Sequence, residues 1–499
     1  MNTALLTRRY LNEYTRRPVN LVLLIAVPLI FVTLAAGALA DFAGIVGGIG
    51  DPDVLASPTA GWAAAFLAGV AGFFHVLGSR SADRRLAAAG LRAGRIVAAR
   101  LLSGLVLALI AAGAALGALA LRIGIADPLR AAAGTVMLAV IYLAIGTAIG
   151  ALVRSEVNGS LVVIFVWMLD VFLGPAMAGG DVWLTRLFPS HYVTLVMLDA
   201  ASGHSGPLGD LGWALIWAAG SVIVAALIFA SATAHREVAP KMRPTSLQLR
   251  RLRAGLRYGF RDYRRNVAMW VLLVALPVFF ISLSFYITPD GPTPIELVEG
   301  GLARIRFVSM IDVHGAIMVP ITIGFLAGLA GLFIVQGSIE ADRRLALAGF
   351  RARDILASRL GVIAIAALLT TGASLAVTAV DFAPDSWIWF SIGNVLVALT
   401  YGLVGVLVGA VFGRLGGLYV MFLLPFIDVG IAQNVMFSAA PPDWGLFLPG
   451  RGAVRLLVDG AFTPGFDEGG GLMLALGWLV ALGLVVSVVF RRIAQPGRV

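Results

Sequence analysis

An all-α polytopic integral membrane protein, with about 12 transmembrane helices in two similar halves, is the fold class this sequence predicts. Three observations predict it. Of the 499 residues, 60% are hydrophobic and 13% charged, whereas a soluble domain carries roughly a quarter charged residues. Apolar windows long enough to cross a bilayer recur along the whole chain. A 36-residue stretch in the first half returns almost verbatim in the second.

The windows fall at 18–40, 61–79, 101–121, 131–153, 158–178 and 211–234, then at 267–288, 314–337, 361–380, 388–412, 417–437 and 471–490. The first is too long for a signal-peptide core and lacks a small-residue cleavage site, so it reads as an uncleaved span. Charge sets the orientation. With an even number of spans, both termini, the central linker and the loops after spans 2 and 8 share one side. That side holds 30 of the 37 Lys and Arg residues, which makes it cytoplasmic by the positive-inside rule. The net charge of +10 then describes a face that meets anionic lipid and protein, with no need of nucleic acid.

Phe66–Leu101 aligns without a gap on Phe325–Leu360, with 24 identical positions. The correspondence extends outward. "EYTRRPVNLVLLIAVP" answers "DYRRNVAMWVLLVALP", Tyr142-x3-Gly146-x3-Gly150 answers Tyr401-x3-Gly405-x3-Gly409, and Asp170, Pro189 and Asp199 answer Asp428, Pro449 and Asp459. The predicted organisation is a six-span repeat at 1–235, a basic linker with an amphipathic helix at 236–266, and a second repeat at 267–499. Two halves with six spans each in the same order form a parallel repeat, with a pathway expected between them. Each half opens on an amphipathic segment, with Leu6, Tyr10, Leu11 and Tyr14 as the stripe in the first copy and Leu249, Leu252, Leu256, Phe260 and Tyr263 in the second. Such helices lie in the headgroup plane.

Much chemistry is excluded. There is no cysteine, hence no disulfide, thiolate metal site or cysteine nucleophile. Lys241 is the only lysine and follows no glycine loop, so the chain has no Walker A motif. No zinc-protease, nucleophile-elbow or EF-hand pattern occurs. His75 reads as a satisfied intramembrane histidine. Asp170 and Asp428, inside apolar spans at matching positions, are either pathway residues or hydrogen-bonding glue between helices. The Gly-x3-Gly pairs are packing motifs, and Pro28 and Pro277 are expected to kink their spans. The segments 179–210 and 438–470 read as short re-entrant or interfacial helices on the outer side.

The loops "GSRSADRRLAAAGLRAGRIVAARL" and "GSIEADRRLALAGFRARDILASRL" each predict a short helix. Ser81 or Asp83 is expected to cap the first, and Gly90 and Gly349 to end them in a Schellman-type stop, followed by Leu91 or Phe350.

With these loops, "LFPSHYVTLVMLDAASG" and "FLPGRGAVRLLVDGAF", the chain resembles the membrane subunit of an ABC-2 type ABC transporter, two six-span units fused in tandem. Neither loop carries that family's Gly-Thr-Leu-Glu wording. The resemblance implies coupling helices at Asp83, Arg84, Arg85 and Arg92, and at Asp342, Arg343, Arg344 and Arg351. It implies a substrate path near Phe73, Phe74, Asp170, Phe333 and Asp428. It further implies a separate ATPase, expected as a homodimer, carrying the ATP and Mg, and export of a hydrophobic small molecule across a bacterial plasma membrane. The alternative is a proton-coupled transporter of the major facilitator type, whose loop motif "GSRSADRR" nearly matches.

Overall fold

The computed structural model describes residues 3–16, 18–125, 127–177, 183–198, 209–234, 267–347 and 352–494. It divides into two compact units, Met1–Lys241 and Met242–Val499. The linker helix expected around Leu249–Tyr263 lies outside the described residues, as do Asp199, Gly349, Phe350 and Arg351.

In the first unit, α1 (Thr3–Thr15) precedes α2 (Pro18–Ile45), α3 (Pro52–Leu77), α4 (Arg80–Ala88), α5 (Ala93–Arg122), α6 (Pro128–Leu152), α7 (Glu156–Phe172), α8 (His191–Met197) and α9 (Gly209–Ala234). Short polar breaks punctuate the apolar text and start the next helix. Asp51 and Asp127 each cap a helix whose first residue is proline, and Ser155 accepts from the Asn158 amide to start α7. Proline suits that position because its missing N–H would have no helical partner.

The second unit runs α10 (Val267–Ile287), β1 (Pro292–Glu299), β2 (Leu302–Ser309), α11 (Met310–Leu347), α12 (Ala352–Asp381), α13 (Trp387–Pro425), a π-helical turn Phe426–Ala432, α14 (Arg451–Phe462) and α15 (Gly469–Ala494). Pro28 and Pro277 lie inside α2 and α10. The fold is all-α and polytopic apart from the β1–β2 hairpin, which lies between the seventh and eighth apolar windows. Gly300 and Gly301, both at positive φ, form its turn, a geometry that glycine adopts without steric cost.

Among the described residues, nine helices are long and apolar enough to cross a membrane. Three departures separate this from twelve distinct long spans, the first being that α10 counts only as the shorter apolar helix Val274–Ile287. The helix α7 has 17 residues. Spans 10 and 11 form the single 39-residue α13, bent at Gly413 with φ 70° and ψ −161°. The matching place in the first unit, Val153–Ser155, breaks the helix outright.

The core of each unit is a glycine-mediated contact between its second and fourth spans. A Cβ at Gly146 would overlap the carbonyl oxygen of Gly69 in α3, and one at Gly405 would overlap that of Gly328 in α11. The Gly-x3-Gly stripes therefore bring backbones together as small residues do in membranes. Tyr142 and Tyr401, 1% exposed each, lie one turn before them.

Candidate functional site

The loop after α3 is held by a buried ion pair. Arg100, two turns into α5, donates from Nε to Asp83 Oδ2 at 3.0 Å and from Nη2 to Asp83 Oδ1 at 2.9 Å. The side chains are 3% and 1% exposed. From α1, the Tyr10 ring lies 3.5 Å from the Arg100 guanidinium carbon, and its hydroxyl donates to Asp83 Oδ1 at 3.3 Å. Burial, aided by the neighbouring carboxylate against the pull of Arg100, pushes the Tyr10 hydroxyl up to about 12, so it stays a donor. The amphipathic stripe of α1 is thus spent partly on protein, with Leu6 and Tyr10 packed against Leu91 and Ala99.

This arrangement corrects the expected start of α4. Neither Ser81 nor Asp83 caps it. The cap position is Ser79, whose hydroxyl donates instead to the His75 carbonyl at 2.6 Å, because Asp83 is committed to Arg100. The end of α4 follows the expected stop. Gly90 has φ 91°, the Leu91 amide donates to Leu86 O at 3.0 Å and the Gly90 amide to Ala87 O at 3.0 Å, the bonding pattern of a Schellman motif. Arg80 turns back to donate to the Val153 carbonyl at 3.3 Å and to that of Ala151, closing the C-terminal end of α6. Arg85 and Arg92 are exposed.

The second unit repeats the pair at the same separation of 17 residues. Arg359 of α12 donates to Asp342 from Nε at 3.2 Å and from Nη2 at 2.7 Å, and these side chains are 18% and 6% exposed. Here the loop's helix is a continuation of α11, with no break at Gly337–Ser338. Arg414 and Gln336 supply the closing bonds that Arg80 makes in the first unit, Arg414 Nη2 reaching Gln336 O at 3.2 Å and Gln336 Nε2 reaching Gly409 O. Arg344 is 79% exposed and 3.9 Å from Glu340. Only the backbone of Arg343 is described.

Asp170 and Asp428 form a second matched constellation. Asp170 accepts from Tyr142 Oη at 2.5 Å, from the Ser190 amide at 3.1 Å and from Ser190 Oγ at 2.7 Å. Asp428, on the π-helical turn, accepts from Tyr401 Oη at 2.6 Å and from the Gly450 amide at 2.7 Å. Each acid therefore joins the fourth and fifth spans to the residue just before a short outer helix, α8 or α14. The outer segments are not open loops, since every residue of α8 except Tyr192 is buried, as is all of α14 after Arg451 except Arg455. The other expected path residues also have partners within their units. Phe73 is fully buried against Gly159 and meets Phe74 edge-on at 4.9 Å, while Phe333 is 6% exposed. His75 shares a 2.7 Å hydrogen bond with Ser103.

Arg100 and Arg359 stand in the sequence as membrane-boundary arginines, and Tyr142 and Tyr401 as members of a glycine pattern. None of these positions by itself points to an acid partner. The available signal is spacing, 17 residues for each Asp–Arg pair and 28 and 27 for the Tyr–Asp pairs.

These features define a multi-pass, all-α membrane protein in which two buried-acid constellations recur, one at each end of the helices. Residues 63–234 match the family model described as ABC-2 family transporter protein, so that segment is similar to the membrane part of such a transporter. Comparisons with curated proteins and with solved structures give no match.

Proposed function

We propose that the chain is the membrane permease of an ATP-binding-cassette exporter, built as two fused ABC-2 units. It would move a hydrophobic or amphipathic small molecule outward, driven by ATP hydrolysis with Mg on a separate ATPase homodimer. Both termini and both arginine loops then face the cytoplasm. The observation that carries this reading is the duplicated Asp–Arg clamp beneath exposed arginines. Asp83 and Asp342 position the loops on the feet of α5 and α12, whereas Arg84, Arg85, Arg92, Arg343, Arg344 and Arg351 form the docking face. A push on such a loop passes directly into two spans, because the buried pair leaves no slack between the loop and the next helix. Asp170 and Asp428 act at the other end by holding the outer helices. Movement of α3 and α11 is what brings Phe73, Phe74 and Phe333 to the cargo.

The cysteine-free chain permits a clean test. Single cysteines replacing Arg85 and Arg344 should cross-link to a co-expressed ATPase. Changing Arg84, Arg85 and Arg344 to glutamate, which spares both clamps, should release that ATPase or uncouple its hydrolysis from transport. Undiminished association and transport would overturn the docking assignment. Transport in ATP-free vesicles driven by a proton gradient would favour the major facilitator alternative.

A further inference from the structure

Between α1 and the α3–α4 corner lies a cavity of about 630 Å³, whose α1 side, with Arg9, Glu13 and Arg16, has no part in the coupling reading. Arg9, Glu13 and Arg16 line it from one face of α1, at helical spacings of three and four. Arg85 lines it from α4, and the Asp83–Arg100 pair forms part of its wall. Since that pair neutralises itself, three guanidinium groups face one carboxylate, an excess of two positive charges in one recess. Guanidinium forks match phosphate oxygens in geometry as well as charge. The recess also has apolar borders, Leu6 and Leu86. The helix α1 leads within three residues into α2, the first span. Its cationic recess therefore sits at headgroup level, where lipid phosphate is the abundant anion.

We infer that this cavity binds the phosphate headgroup of an anionic phospholipid, with Arg9, Arg16 and Arg85 as its ligands. A bound headgroup bridges α1 to α4 and so makes the seating of the arginine loop sensitive to lipid. The inference rests on the membrane position of the chain and not on ATPase coupling, so the two fail separately.

The test uses the full chain in nanodiscs of phosphatidylcholine doped with phosphatidylglycerol, reading the lipid retained by native mass spectrometry. The double variant R9Q/R16Q should lose retained phosphatidylglycerol about 25-fold, roughly five-fold per arginine. R85Q should lose about five-fold. R8Q, exposed on α1 but outside the cavity, should lose none. Glutamine keeps a polar, helix-compatible side chain at exposed positions, and unchanged monodispersity of the variants checks folding. Equal losses from R8Q and R9Q/R16Q would reduce the effect to general surface charge and overturn the site. No preference of the parent chain for phosphatidylglycerol over phosphatidylcholine would do the same. Displacement of the lipid by millimolar inorganic phosphate or glycerol 3-phosphate would reassign the cavity to a soluble anion. Loss of ATPase binding with lipid retention intact would assign it to the protein partner.

Discussion

Replacing Arg100 with alanine isolates the contact that holds the first arginine loop. In the native unit the Asp83 carboxylate is 1% exposed and its ion pair is bidentate. Alanine leaves that carboxylate buried with only the longer Tyr10 bond, and removing one partner of a buried pair costs about 3–5 kcal/mol. If α4 carries that cost as local opening, its amides exchange about 100-fold faster or more, since each 1.4 kcal/mol is about tenfold. Hydrogen–deuterium exchange over residues 80–92 in nanodiscs reads this directly. The double variant D83L/R100M removes both charges and should recover most of the protection, because a buried pair replaced by apolar side chains of similar volume is often close to neutral. Arg359→Ala should accelerate exchange around Asp342 less, since water already reaches that pair, 18% and 6% exposed. Native-like exchange in Arg100→Ala, or a double variant as unprotected as the two single losses combined, would refute the reasoning.

Other expected outcomes follow from the duplicated packing. Gly146→Ala and Gly405→Ala place a methyl group on a facing carbonyl and should each cost about 1–3 kcal/mol or more, seen as a lower unfolding temperature in detergent. Gly113→Ala and Gly117→Ala, with nothing within 4 Å of the added carbon, should not lower it. Tyr142→Phe and Tyr401→Phe remove a donor from a buried acid at about 1–3 kcal/mol. Single cysteines at Val193 and Ala453, both fully buried, should then react faster with a water-soluble maleimide, and an unchanged labelling rate would separate the acids from the outer helices. Gly450→Ala should speed labelling at Ala453 too, because its Cβ would stand 2.8 Å from Asp428 Oδ2.

The local devices were legible in the sequence because their causes are local. Asp51-Pro52 and Asp127-Pro128 start helices through a side chain and a ring that act within three residues. Gly90 ends α4 because φ 91° is open to glycine. The β1–β2 hairpin was legible as well, from Gly300-Gly301 between alternating runs. The fusion of spans 10 and 11 was less so. Arg414 looks like a loop residue, yet one left-handed glycine lets the helix resume without a gap.

The sequence by itself determined the membrane class, the helical segments and the duplicated text, since bilayer thickness and backbone hydrogen bonding constrain composition and length along the chain. It left Asp170 and Asp428 open between pathway and glue, and it showed Asp83 only as one charge in a charged loop. The tertiary structure decided where these acids point. Whether Asp83 meets Arg100, or Tyr142 meets Asp170, depends on how helices are rotated and crossed against one another. That rotation follows from backbone contacts such as Gly146 on Gly69, which join residues distant in the chain.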